Sequence, residues 1–158
     1  MTTEPSQGWV QRTVGTTPPT PALGRIAIVH VTAMLQTSPG DIGFDQSALA
    51  SCIEACLDCA QVCTACADAC LGEDAVADLR RCITLDANCA DICATTAAVL
   101  SRNTMYDSET TRAVLEACKV VCNRCAEECE RHASHHEHCS LCAAACRRCA
   151  DACAVLMN

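Results

Sequence analysis

Large apolar side chains, and aromatic ones above all, are scarce in this chain of 158 residues. One Trp, one Tyr and one Phe make up the aromatic content, which is 2% of the sequence. The length suits a single domain, but a conventional core draws on more large side chains than this chain supplies. The interior must therefore be built from another residue type.

The chain also lacks an excess of positive charge and a recognisable export signal. Its formal net charge of −8, with His counted as neutral, makes nucleic acid and anionic membrane surfaces unexpected partners. The N-terminus is polar and rich in Pro, without the basic and apolar regions of a signal peptide. Residues 26–35 form an apolar run that His30 and Thr32 interrupt, and it is too short to span a membrane. We therefore expect a cytoplasmic protein whose thiols stay reduced.

Cysteine is what the chain has in abundance. There are 18 cysteines, and a share above a tenth is typical of a disulfide scaffold or a metal site. Between residues 52 and 70 they recur at steps of 4-3-4-3-4, which average the 3.5-residue spacing that keeps side chains on one seam of a bundled helix. Three later segments repeat this spacing. The four seams comprise Cys52, Cys56, Cys59, Cys63, Cys66 and Cys70; Cys82, Cys89 and Cys93; Cys118, Cys122, Cys125 and Cys129; and Cys139, Cys142, Cys146, Cys149 and Cys153.

The helix signals around these seams predict an all-α fold. We expect an antiparallel up-down-up-down four-helix bundle with a Cys-lined core, preceded by a short N-terminal helix over residues 25–36. The bundle helices are predicted over about 46–71, 73–101, 108–132 and 134–156, the last beginning at a capping box of Ser134 and Glu137. Residues 1–24 are expected to be a flexible tail, 25–44 a short helix and linker, and 45–158 the bundle.

Antiparallel order gives the predicted tube of sulfur two different ends. One end is an apolar plug of Leu49, Leu100, Leu115 and Leu156. The other end carries Cys70, Cys82, His132 and His135, with His136 and His138 close by. Because imidazole is a common metal ligand, the second end is predicted to be an entrance, with His132, His135 and His136 as candidate entrance residues.

Asp86 interrupts the second seam near a position where the spacing would place a cysteine. Two interpretations stay open from the sequence. The carboxylate faces the interior near the entrance as an auxiliary ligand, or it turns to solvent while Leu85 packs in its place.

Several explanations of so many seam cysteines can be compared. Simple packing accounts for a few buried cysteines, not for 18 on four aligned seams. Neighbours at i+3 or i+4 on one helix have Cβ atoms about 5–6 Å apart, beyond the roughly 3.5–4.5 Å of a disulfide. Bridges between helices are hard to sustain in a reducing cytosol, so a thiol redox role is a weaker alternative. No nucleophile–base pair or phosphate loop is recognisable, which argues against an enzyme.

A metal is the favoured explanation, and Cu(I) is the favoured metal. Zinc prefers closed sets of about four ligands. Cu(I) is soft, accepts two or three thiolates, and can share one thiolate between two ions. Cysteines at almost any level of a tube can then serve, and each monovalent ion balances one thiolate. The sequence thus predicts many Cu(I) ions per chain, on the order of one per cysteine.

With these motifs the sequence resembles the cytosolic four-helix-bundle copper storage proteins of bacteria. The resemblance rests on the C-x3-C-x2-C-x3-C pattern and the His-bearing end, and it covers residues 45–158. It implies reversible storage of Cu(I), an entrance at the histidines, and a homo-oligomer, commonly a tetramer. Copper ions, and a copper chaperone or small chelator, are the implied partners. The remaining alternatives are a copper chaperone or detoxification buffer, and a thiol redox or zinc-binding protein.

Overall fold

A computed structural model of the protein describes residues 29–158, and these residues contain five helices and no strand. The helices are α1 (Val29–Gln36), α2 (Gln46–Leu71), α3 (Arg80–Leu100), α4 (Ser108–His132) and α5 (Glu137–Met157). Helices α2 to α5 form a bundle in which α2 and α4 each pack against both α3 and α5. The predicted all-helical bundle with a short preceding helix is confirmed. The predicted tail, and the predicted helix before residue 29, lie outside the described residues.

The neighbours in the core show that adjacent helices run antiparallel. Cys52 near the start of α2 lies beside Cys153 near the end of α5. Cys82 at the start of α3 likewise lies beside Cys129 at the end of α4. Short connections between long helices favour this order, and it gives the bundle the two distinct ends that the sequence predicts.

Aspartate residues begin two of the bundle helices. The Asp45 carboxylate accepts a hydrogen bond from the backbone N–H of Ala48 at 2.8 Å, and that of Asp107 accepts one from Thr110 at 2.7 Å. These N-caps satisfy amide groups that have no partner within the helix. The starts of α2 and α4 follow from this local chemistry and agree with the sequence-based bounds.

The predicted start of the second bundle helix at residues 73–74 is wrong. Helix α3 begins at Arg80, and tight turns occupy the preceding residues. There the N–H groups of Val76, Asp78 and Leu79 donate to carbonyls three residues earlier, a pattern of 3₁₀-like turns. Glu73, whose charge suggested a helix start, instead contacts histidines across the bundle.

The predicted capping box at the start of the last helix does not form. Helix α5 begins at Glu137 with His136 as the N-cap, and no side chain caps it. The N–H groups of His135 and His136 both donate to the carbonyl of His132, so the chain continues in a turn after α4. The extended backbone needed at an N-cap occurs at His136, two residues later than Ser134.

Cysteine and alanine fill the interior of the bundle. All 18 cysteines are buried, together with alanines such as Ala90, Ala126 and Ala150. Leu49, Leu100 and Leu115 are buried at the end away from the histidines, while Leu156 is partly buried against them. The stretches Gln46–Leu71 and Val76–Leu100 are long and apolar enough to cross a membrane by length and composition, but their apolar seams pack here against other helices.

Two of the aromatic residues, Phe44 and Tyr106, lie where the linker before α2 meets the α3–α4 connection, and Phe44 packs against the edge of the core. The rings of Phe44 and Tyr106 lie 5.4 Å apart. Tyr106 also covers Gly43 so closely that a Cβ there would lie 2.6 Å from its hydroxyl oxygen. These two aromatic side chains therefore hold the linker against the α3–α4 connection, and they do not occupy the axis of the bundle, which is lined by cysteines.

Candidate metal centre

The eighteen Sγ atoms, here called the sulfur core, form a network along the bundle axis. Cys59 illustrates it, because its Sγ lies 3.9 Å from Cys89, 3.9 Å from Cys122 and 3.6 Å from Cys146, which belong to three other helices. The Cys93 and Cys122 sulfurs approach to 3.4 Å. All these cysteines are free thiols, and such separations far exceed a disulfide bond length.

The thiols cluster in fours whose members overlap. Within each group the ligand atoms lie within 4.8 Å of one another, and each of the five groups named below draws on at least three helices. Cys59, Cys63, Cys146 and Cys149 each belong to two of the groups named below, so the first four of these groups are not separate sites. Five of these groups are Cys56, Cys118, Cys149 and Cys153; Cys59, Cys93, Cys122 and Cys149; Cys59, Cys63, Cys89 and Cys146; Cys63, Cys125, Cys142 and Cys146; and Cys66, Cys82, Cys129 and Cys139.

Asp86 lies inside the sulfur core, so the interpretation that it turns to solvent is wrong. Its side chain is buried, and Oδ1 accepts from the thiols of Cys125 at 2.9 Å and of Cys129 and Cys142 at 3.3 Å. Burial raises the pKa of Asp86 to about 8. The carboxyl is thus mostly protonated at neutral pH without metal, and loss of its proton would leave a negatively charged oxygen among the thiols.

His138 joins the sulfur core to solvent at the end that bears the histidines. Its Nδ1 lies 3.5 Å from the Sγ atoms of both Cys66 and Cys139 and 4.0 Å from that of Cys70. Its Nε2 lies 3.1 Å from Oε1 of Glu73, and its side chain is 23% exposed. We call this end, defined by Cys66, Cys70, Cys139 and His138, the mouth.

Sequence reasoning placed His138 near the mouth but did not include it among the candidate residues. Stepping back along the seam from Cys139 by three or four residues leads to His136 and His135. Helix α5 begins only at Glu137, so a helical repeat does not extend that far. The sequence signal for this residue is its position: His138 directly precedes Cys139, the first seam cysteine of α5.

The three predicted entrance histidines have different surroundings. His136 places Nδ1 3.0 Å from Oε1 of Glu73, and its ring centroid lies 5.4 Å from that of His138. His132 has a buried Nε2 that lies 3.5 Å from Oε1 of Glu128 and makes no hydrogen bond among residues 29–158. His135 is exposed, and its side chain makes no hydrogen bond or ion pair within the described part of the chain.

The mouth thiols are held protonated in the absence of metal. Burial raises the pKa of Cys70 to about 11. Burial also raises the pKa of Cys139. Thiolate is the form of cysteine that binds metal, so a metal ion could bind these groups only by displacing their protons.

Comparison with known proteins identifies the family. A profile of the copper storage protein family, Csp, matches residues 45–158. The chain belongs to the copper storage protein family. That match contains all four cysteine seams, and it confirms the resemblance seen in the sequence.

Solved structures of copper storage proteins share the fold. Ccsp from Streptomyces lividans loaded with 10 copper equivalents is 59% identical with a TM-score of 0.79, covering 80% of this chain and 97% of that chain. A cytosolic copper storage protein from Streptomyces lividans with five coppers is 62% identical with a TM-score of 0.70, covering 70% and 92%. Cu(I)-bound BsCsp3 is 36% identical with a TM-score of 0.60, covering 68% and 95%.

Proposed function

We propose that this copper storage protein holds many Cu(I) ions in the cytosol, bound by thiolates of its eighteen buried cysteines. The observation that carries the proposal is the overlap of the four-thiol groups along the bundle axis. A shared thiolate can bridge two Cu(I) ions, so overlapping groups suit a chain of linked ions. The relatives that bind copper, one of them cytosolic, support the same metal and compartment.

Zinc is the second candidate metal, because the geometry of single groups suits it. A tetrahedral zinc site with Zn–S bonds of about 2.3 Å places its sulfurs about 3.8 Å apart, and separations near this value occur throughout the sulfur core. A tetrathiolate zinc site, however, keeps a net negative charge, which is costly inside a dry interior. Monovalent ions neutralise one thiolate each, so Cu(I) can fill the whole core without accumulating charge.

The arrangement of the mouth supports a direction of uptake. We assign His138 as the first ligand, since Nδ1 stands beside three thiols. We assign His132, His135 and His136 to the rim of the entrance, and Asp86 as an auxiliary oxygen ligand below it. Ions would then pass toward Cys52 and Cys153, where the leucine plug ends the sulfur core. The storage unit that we propose is residues 45–158, with a short helix and linker over 25–44.

Storage without catalysis is the role that buried thiols suit best. A chaperone hands over metal from one or two exposed thiols, whereas every cysteine here is buried. Partners in this proposal are copper ions and a copper chaperone or small chelator, and the charge of −8 argues against nucleic acid and anionic membranes. A homotetramer is proposed from the family resemblance, and light scattering of the purified chain measures it.

Anaerobic titration of the reduced protein with Cu(I), against a strong competing chelator, tests the proposal. We expect saturation on the order of one ion per cysteine. A parallel zinc titration should saturate at about a quarter of one ion per cysteine. Saturation at one or two Cu(I) per chain would overturn storage and favour a chaperone, and a zinc capacity equal to that for copper would overturn the choice of metal.

A further inference from the structure

Glu73 contacts two histidines that are distant from it in sequence, and one of them, His138, belongs to the mouth. Glu73 lies in the turns between α2 and α3, while His136 and His138 lie at the start of α5. One oxygen, Oε1, is 3.0 Å from Nδ1 of His136 and 3.1 Å from Nε2 of His138. The glutamate therefore holds the two imidazoles through different ring nitrogens.

An ionised carboxylate fixes the proton on each of these nitrogens, because it accepts hydrogen bonds and donates none. A glutamate carboxyl, with an ordinary pKa of about 4.3, is ionised at neutral pH. In a neutral His138 ring the proton is then on Nε2, and the lone pair is on Nδ1. In a neutral His136 ring the proton is on Nδ1, and the lone pair is on Nε2.

The lone pair that this contact leaves on His138 is the one beside the sulfur core. Nδ1 is the ring nitrogen near Cys66, Cys70 and Cys139. A proton on Nδ1 would block it as a metal ligand, since only an unprotonated imidazole nitrogen binds a metal. Carboxylates that hold the far nitrogen of a ligating His are a general means of fixing its tautomer and orientation.

We propose that Glu73 is a positioning residue for copper uptake, which selects opposite tautomers in His136 and His138 and keeps Nδ1 of His138 free to receive Cu(I) beside Cys66 and Cys139. This inference rests on the proposed storage function and adds to it the residue that prepares the mouth. It also explains why the acidic residue before α3 is not used as a helix cap.

Glu73→Gln tests the proposal with little change in size. An amide donates as well as accepts, so glutamine no longer requires a proton on Nε2 of His138. The matched control is Asp74→Asn, which makes the same charge change at the adjacent, exposed residue. Glu73→Ala, which removes the acceptor, should behave as Glu73→Gln does, and circular dichroism checks that each variant is folded.

The first readout is the tautomer of each ring in the reduced, metal-free full-length chain. Long-range ¹H–¹⁵N spectra of protein labelled in histidine distinguish a proton on Nδ1 from one on Nε2. We expect the Nε2–H form for His138 and the Nδ1–H form for His136 in the original chain and in Asp74→Asn. Both Glu73 variants should give mixed tautomers, which a purely structural role of Glu73 would not produce.

The second readout is copper uptake from a defined Cu(I)–chelator complex under anaerobic stopped flow. The initial phase should slow severalfold in both Glu73 variants and remain unchanged in Asp74→Asn. The final number of ions should not change, because all eighteen thiols remain.

Unchanged tautomers, or an unchanged initial phase, in the Glu73 variants would overturn the proposal. Equal effects in Asp74→Asn would overturn it as well. If the original chain bound only one or two Cu(I) ions, the proposed storage function would be rejected. The histidine tautomers of the metal-free chain would still test the positioning role of Glu73 separately.

Discussion

The carboxyl group of Asp86 is surrounded by thiols. Its protonation state therefore depends on burial and on the cysteines that contact it. The sequence shows that Asp86 lies near a seam position. A 3.5-residue repeat alone, however, does not predict whether a charged side chain at that position faces the core or the solvent. Donation by Cys125, Cys129 and Cys142 is what makes burial acceptable, and these partners come from two other helices. Only the assembled bundle therefore decides between the two interpretations that the sequence left open.

The raised pKa of Asp86 predicts how the stability of the metal-free protein depends on pH. Its pKa rises from 3.8 to about 8 on folding, so between these values the folded state binds more protons than the unfolded state. The free energy of unfolding should therefore fall as pH rises from about 4 to about 8, by up to about 1.4 kcal/mol per pH unit. Denaturant unfolding of the reduced protein at several pH values measures this slope.

Asp86→Asn provides the comparison for that slope, because an amide does not titrate. The variant should lose the slope, while Asp91→Asn, at an exposed position of the same helix, should keep it. Equal slopes in the original chain and in Asp86→Asn would contradict the buried, neutral carboxyl.

His138→Ala should weaken and slow the binding of the first Cu(I) ions. The variant removes the imidazole nitrogen that stands beside the mouth thiols, and loss of even an outer partner of a metal site costs roughly 10-fold or more in affinity. Competition with a chelator at less than one ion per chain measures the effect. His30→Ala, at an exposed position on α1, is the control, and equal affinities in the two variants would contradict the assignment of His138.

Among the elements, some helix starts could be predicted from the sequence and others could not. Asp45 and Asp107 cap their helices through bonds to an amide three residues away, so local sequence suffices to locate those starts. Glu73 and His136 act through contacts between distant segments, and both helix starts near them were misplaced. The mouth is thus the part of the candidate site that local rules describe least well.

The apolar plug of leucines at the closed end should stabilise the bundle without taking part in metal binding. Leu49 is fully buried at the closed end of α2, so Leu49→Ala should cost about 2–5 kcal/mol of unfolding free energy. Leu71→Ala, on the same helix but 61% exposed, should cost little. Denaturant unfolding measures both variants, and copper capacity should remain unchanged in each. A loss of capacity on replacing Leu49 would show that the closed end contributes more than packing.

At the scale of the whole molecule, the bundle places small residues where larger ones usually pack. Cysteine behaves as a small apolar residue when it is protonated and buried, and alanine allows helices to approach closely. Seam spacing made this architecture predictable, because a 4-3 repeat on four helices specifies both the helix faces and the contents of the core. Thiol separations and the overlap of four-thiol groups were beyond the sequence, since they depend on helix rotation and register.

A preformed sulfur core implies that the protein folds before it binds metal. Far-ultraviolet circular dichroism of the reduced, metal-free chain should show a mostly helical protein. Addition of Cu(I) should change this spectrum little, because the helices that carry the thiols are already in place. A random-coil spectrum that becomes helical only with copper would contradict a preformed reservoir, and would indicate folding coupled to metal binding.

Location of the bound copper tests the central claim most directly. Crystals of the reduced protein loaded anaerobically with Cu(I), measured at the copper absorption edge, give an anomalous difference map of every ordered ion. The sulfur core predicts a column of copper peaks on the bundle axis, from the mouth at Cys66 and Cys139 to the closed end at Cys52 and Cys153. One or two peaks confined to surface histidines, with an empty axis, would contradict copper storage inside the bundle.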